Sequence, residues 1–191
     1  GSVYFEMLHI PGLGNEPYMD ARKDYLQKVI FQLSSYGKDE MGNKSYMTSW
    51  AEVTRELLSS AEFGAQLGKN IAGTDDFIKQ TKTLASPEEK MKSVFNYVRG
   101  NMNWNGFYSK YAIAGVKAAW PKKSGTSGDI NLLLTNLLKE AGLDAYPMLV
   151  SERFHGKVNS EYPFIDQFNS VFACVIIGTK KYYLDATDKV I

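Results

Sequence analysis

The 191-residue sequence predicts an α+β fold, with helices first and an antiparallel sheet last. Three observations carry this. Apolar residues recur at helical spacing between residues 50 and 141. After Gly142 the period changes to alternation, and turn formers then divide the remainder into short strands. The expected architecture is a central buried helix packed on an antiparallel β-sheet, with additional helices on its N-terminal side.

Residues 1–23 contain Pro11-Gly12, Gly14-Asn15 and Glu16-Pro17 and read as a linker lying across a surface. Gly1-Ser2 reads as a scar on an excised domain, and the stop at Val190-Ile191 as a cut in a longer chain. Tyr25, Gln27, Val29, Phe31 and Leu33 alternate with Leu26, Lys28, Ile30 and Gln32, which predicts a strand over 25–33, followed by a polar loop over 37–43. The expected division is therefore a linker and strand over 1–45 and an α+β domain over 46–191.

Ser49-Trp-Ala-Glu52 has capping-box spacing, and Trp50, Val53, Leu57 and Leu58 form an apolar stripe behind it. Shorter helices are expected over 62–67 and 74–84. Ser86-Pro87-Glu88-Glu89 is an N-cap with Pro at the first helical position; Met91, Val94, Phe95 and Val98 face the core, and Gly100 ends the helix. Residues 101–124 hold Trp104, Phe107, Tyr108, Tyr111 and Trp120 without a regular period, and predict an irregular cover over the core or the wall of a groove. Ile130, Leu133, Leu134, Leu137, Leu138 and Ala141, stopped by Gly142, define the central helix. Strands follow over 145–150, 168–177 and 181–185, with a turn at Gly178-Thr179 and a long loop over 152–167.

Composition excludes several classes. With 22 Lys+Arg against 21 Asp+Glu the net charge is +1, too little excess for a nucleic-acid partner. No apolar run approaches the roughly 18 residues of a membrane span. Cys174 is the single cysteine, which excludes a disulfide framework; set in an apolar strand, it reads as an inert core thiol. The two histidines, His9 and His155, lie far apart without partners at ligand spacing, so neither metal nor cofactor is expected. Gly125-Thr-Ser-Gly lacks the Gly-Lys-Ser/Thr ending of a phosphate loop.

Five segments taken in order point to a family. Ser124-Gly-Thr-Ser-Gly-Asp-Ile-Asn-Leu-Leu-Leu, Leu-Leu-Lys-Glu-Ala-Gly-Leu, Tyr-Pro-Met-Leu-Val-Ser, Phe168-Asn-Ser-Val and Tyr183-Leu-Asp-Ala-Thr together resemble a bacterial transglutaminase-like core domain, over residues 86–191. Glu16-Pro-Tyr-Met, the strand after it and the Trp50 helix are similar to the segment preceding that core in multidomain exported bacterial proteins. The resemblance implies a papain-like α+β core, β-rich domains on either side, and a periplasmic or cell-surface location. It also implies a triad: a Cys nucleophile at the start of the central helix, a His base opening the next long strand, and an orienting Asp on the strand after it.

Carried over one position at a time, the cysteine falls on Ser127, the histidine on Ser170, and the aspartate is kept as Asp185. Two of the three groups are missing, and a Ser hydroxyl depends even more than a thiol on an adjacent base. No catalytic residue is therefore expected. The cleft candidates are Trp104, Thr126, Ser127, His155, Asn169, Ser170 and Asp185. The first functional expectation is a catalytically inactive binding or scaffold module for a peptide, a glycan or a flanking β-rich domain. The alternative is a residual serine-dependent hydrolase or acyltransferase using Ser127, with His155 or Asp185 as base. A third reading is a rigid spacer. Plainer roles stand beside these: Thr126 or Ser127 as helix N-cap, Asp129 favoured by the helix dipole, Asp185 in a turn or paired with Ser170 or a backbone amide, and Trp104 in the core.

Overall fold

The computed structural model describes residues 4–14, 16–29, 31, 35–36, 44–45 and 49–189. Its helices are α1 (Trp50–Ser59), α2 (Asp75–Lys82), α3 (Pro87–Asn101), α4 (Val116–Lys122) and α5 (Ser127–Glu140). Two short ladders precede the main sheet: β1 (Ser35–Tyr36) pairs antiparallel with β2 (Lys44–Ser45), and β3 (Asn103–Trp104) pairs parallel with β4 (Ser124–Gly125). The main sheet holds β5 (Asp144–Val150), β6 (Ser170–Ile177) and β7 (Lys180–Leu184), antiparallel in the order β5-β6-β7. This mixture of helices and small sheets is consistent with an α+β fold.

The architecture is organised by α5. Ile130, Leu132, Leu133, Leu134, Leu137 and Leu138 lose all contact with solvent, each contributing about 1.5–3 kcal/mol relative to exposure. A helix apolar on this many sides must be enclosed. β6 closes one side with Val171, Ala173 and Val175, while α3 (Met91, Val94, Val98) and α4 (Val116, Ala119, Trp120) add to the same core. At its C-terminus Gly142 adopts φ +86°, and the amides of Gly142 and Leu143 return to the carbonyls of Lys139 and Leu138. That double closure turns the chain directly into β5. The register pairs Tyr146 with Cys174 and Cys174 with Tyr183, so these three share the outer face of the sheet. Cys174 is a buried free thiol on the face of β6 opposite Val171, Ala173 and Val175.

Several elements differ from the sequence expectation. Residues 25–29 are not a strand: they follow a 3-10 turn at Arg22–Asp24, and Leu26 and Val29 stay exposed with no neighbouring edge among the described residues to pair with. The rest of that stretch is described only at Phe31, and the loop over 37–43 lies outside the described residues. The helix expected over 62–67 is a 3-10 turn, Gly64–Gln66, held by Gln66 Nε2 donating to the Ala61 carbonyl. Leu58 is exposed, because it lies about 100° around α1 from Leu57. Helix α3 runs through Gly100 to Asn101, and its final carbonyls at Arg99 and Met102 accept from Lys189 Nζ. Within 101–124 the chain forms β3 and the seven-residue α4, which the sequence period did not reveal.

Gly100 is exposed on α3, and a Cβ built there meets nothing within 4 Å. Gly100→Ala is expected to stabilise the protein by about 0.5–1 kcal/mol, raising Tm by about 1–4 °C in a thermal melt. A lowered Tm would contradict a continuous helix at that position.

Candidate functional site

β3 and β4 deliver the chain to the start of α5, where a capping box forms. Thr126 Oγ1 accepts the Asp129 amide at 3.2 Å, while Asp129 Oδ2 accepts the Thr126 amide at 3.0 Å and the Thr126 hydroxyl at 2.9 Å. Thr126 is therefore the N-cap. The other carboxylate oxygen reaches outward. Asp129 Oδ1 accepts the amides of Ala114 and Gly115, both at 3.0 Å, and so fixes the segment 105–115 over the helix end. Gly128 permits the close approach, because a Cβ there would lie 2.1 Å from the Tyr111 carbonyl oxygen.

Under this cover Ser127 is 1% exposed. Its amide donates to the Phe107 carbonyl at 3.1 Å. Its hydroxyl donates to the Ser109 carbonyl at 3.0 Å and accepts the Ser109 amide at 2.8 Å and the Ser170 hydroxyl at 3.2 Å. A hydroxyl has one proton and two lone pairs, and all three are engaged. Ser170 is fully buried beside it.

Asp185 is placed by α5. Its Oδ1 accepts Asn131 Nδ2 at 2.9 Å, the Thr187 amide at 3.0 Å and the Thr187 hydroxyl at 2.7 Å. Asn131 also donates to the Val171 carbonyl and accepts the Ala186 amide, both at 2.9 Å, so a single buried amide ties the helix to β6 and to the end of β7. The carboxylate beside Ser170 is not Asp185 but Glu152, which sequence reasoning missed. Partial burial and the negative Asp185 push the Glu152 carboxyl up, partly offset by the nearby Ser170 hydroxyl. Asn169 places this residue: its Oδ1 accepts the Glu152 amide at 2.9 Å, while its own amide returns to the Val150 carbonyl.

The remaining candidates lie at the rim. Trp104 Nε1 donates to the Phe107 carbonyl at 3.0 Å, and its ring sits 4.7 Å from Tyr108, which in turn lies 5.2 Å from Phe154. Phe107 and Phe154 are exposed, giving an aromatic strip beside Glu152 and Asp185. Partial burial, Glu152 and Asp185 all push the Tyr108 phenol up. His155 is directed elsewhere, with Nε2 3.0 Å from the Asp166 carbonyl and no hydrogen bond to Ser127 among the described residues. The structure thus bonds Ser127 to Ser170, with Thr126 and Asn169 as their chain neighbours, ties Asp185 to the same helix and strand only through Asn131, leaves Trp104 at the edge and separates His155. Three clefts among the described residues, of about 550, 540 and 340 Å³, are lined by neither Ser127, Ser170 nor Asp185.

Comparison with known proteins gives a fold-level likeness. No protein-family model matches the chain, and no curated protein matches it significantly. A crystal structure of a candidate protease from Parabacteroides distasonis is similar, with a TM-score of 0.53 and 12% identity. The match covers 83% of this chain and 31% of that protein. At such identity it speaks to fold alone.

Two substitutions test this arrangement. Gly128→Ala is expected to destabilise by about 1–3 kcal/mol, because the Tyr111 backbone must move; an unchanged Tm would contradict the tight cover. The fold raises the Glu152 carboxyl, so between its ordinary value near 4.5 and the raised one the folded chain binds more protons than the unfolded chain. Stability therefore falls as pH rises through that interval. Glu152→Gln is expected to match the parent below about pH 4 and to melt higher at pH 7. An equal difference at every pH would contradict it.

Proposed function

We propose that this chain is a transglutaminase-like domain of papain-like architecture without triad chemistry, serving as a binding or scaffold module in an exported bacterial protein, at the periplasm or cell surface. The carrying observation is the saturated, buried hydroxyl of Ser127. An acyl-transfer nucleophile must reach a substrate carbonyl and pass its proton to a base. Here the proton is held by the Ser109 carbonyl, and the thiol and imidazole that the family resemblance implies are replaced by serines. The hydroxyl pair acts as a tie between the covering segment, α5 and β6.

On this reading ligands meet the Trp104–Tyr108–Phe154 strip rather than the triad positions. Ring faces suit a peptide side chain or a sugar, and Glu152 and Asp185 beside them favour neutral or cationic groups. One observation favours a second reading. Glu152 lies beside Ser170, and Ser170 gives its single proton to Ser127, so a relay from Ser127 to this carboxylate also needs the Ser170 hydroxyl to turn towards Glu152. That reading requires the 105–115 segment to lift.

Intact-mass labelling with a serine-reactive fluorophosphonate separates the two. No adduct is expected. A stoichiometric adduct lost in Ser127→Ala would overturn the non-catalytic reading. For ligand binding, a panel of chitooligosaccharides and lysine-containing peptides should include a binder that Tyr108→Ala or Phe154→Ala weakens about five-fold or more. Failure of the whole panel, or binding indifferent to both substitutions, would overturn the role of the strip.

A further inference from the structure

A recess separate from the α5 terminus lies where the N-terminal segment crosses the β5–β6 connection. The segment is seated firmly: Ala21 is buried, Asp20 Oδ1 accepts Arg153 Nε at 2.6 Å, and Asp24 Oδ2 accepts the Lys157 amide at 2.8 Å. It passes over bare backbone at Gly156, where a Cβ would fall 2.5 Å from Asp24 Oδ1. The recess has a volume of about 550 Å³, and Lys23, Lys28, Lys157, Tyr162, Phe164 and Gln167 are among its walls. That size is within the range of small-molecule sites.

Each carboxylate at this recess holds a donor on one of its two oxygens, and of the two only Asp166 is charge-paired, so three ammonium groups stand against the single uncompensated charge of Asp24 among the described residues. Asp24 takes the Lys157 amide, and Asp166 is paired with Lys110 Nζ at 3.1 Å. Gln167 Oε1 accepts the Asn159 amide, and its Nε2 donates to the Asn159 and Tyr162 carbonyls. The donors are not matched in the same way. Lys28 Nζ makes one bond, to the Lys23 carbonyl at 3.0 Å, and neither Lys23 nor Lys157 forms an ion pair among the described residues. An ammonium left with spare donors beside aromatic walls suits an anion carried on a ring. We propose that this recess binds a sugar acid, its carboxylate between the Lys28 and Lys157 ammonium groups and its ring against Tyr162 and Phe164. The site is independent of the aromatic strip at the α5 terminus.

Calorimetric titration of the whole chain with D-glucuronic acid, D-glucose and inorganic phosphate tests this. Glucuronate should bind saturably and more weakly as salt is raised. Lys157→Gln and Lys28→Gln should each weaken it about tenfold with Tm unchanged. Lys180→Gln, on the β6–β7 hairpin, should leave it unaltered. The proposal is overturned by absent saturation, by glucose binding as tightly as glucuronate, by phosphate alone doing so, or by an equal loss in Lys180→Gln.

Discussion

The carboxylate of Asp129 is buried where an ionised group is tolerated only with nearly every lone pair engaged. Four donors meet it, two from Thr126 and two from the amides of Ala114 and Gly115. The first pair starts the helix; the second holds a separate stretch of chain across that start. One side chain thus decides both where α5 begins and what lies over it. Ser109 then falls against Ser127, and Phe107 against the Ser127 amide.

From this point a polar layer runs through an otherwise apolar core. Asn131 lies one helical turn beyond Ser127 and links α5 to β6, Asp185 and Ala186. No buried polar side-chain atom lacks a partner among the described residues. A network completed in this way rigidifies the helix–sheet junction, and it leaves the aromatic strip and the Glu152–Asp185 pair as the features that face outward. Lys110 adds a clasp on the other side, reaching both Asp166 and the Phe168 carbonyl from the covering segment. Trp50 holds the same β5–β6 connection from α1 by donating to the Ser160 carbonyl.

The sequence makes the periodic parts of this design readable. Ser86-Pro87 caps α3 as its residues predict, α5 shows its leucines plainly, and the change of period after Gly142 marks the sheet. Short or conditional features were not readable. Helix α4 has seven residues, contains Pro121, and buries only Val116, Ala119 and Trp120, too few to set a period. Residues 25–29 run Tyr-Leu-Gln-Lys-Val, two apolar, two polar and one apolar, which is not the period of two a half-buried strand needs, and no partner edge among the described residues supplies one. Glu152 escaped notice because its approach to Ser170 depends on the pairing of Val150 with Ser170 across a long connection. The triad-equivalent serines and Asp185 are visible as positions in the chain, whereas the saturation of the Ser127 hydroxyl by Ser109 arises only from tertiary packing.

Native-state amide hydrogen exchange at Ser109, Ala114, Gly115 and Ser127 tests the covered helix terminus most directly. These four amides are bonded to Ser127 Oγ, to Asp129 Oδ1 twice, and to the Phe107 carbonyl. The account predicts that they exchange together and slowly, with opening free energies close to that of the α5 core amides. Exchange of these amides far faster than the α5 core would show that the cover opens on its own, leaving Ser127 accessible in the native protein, and would contradict the account.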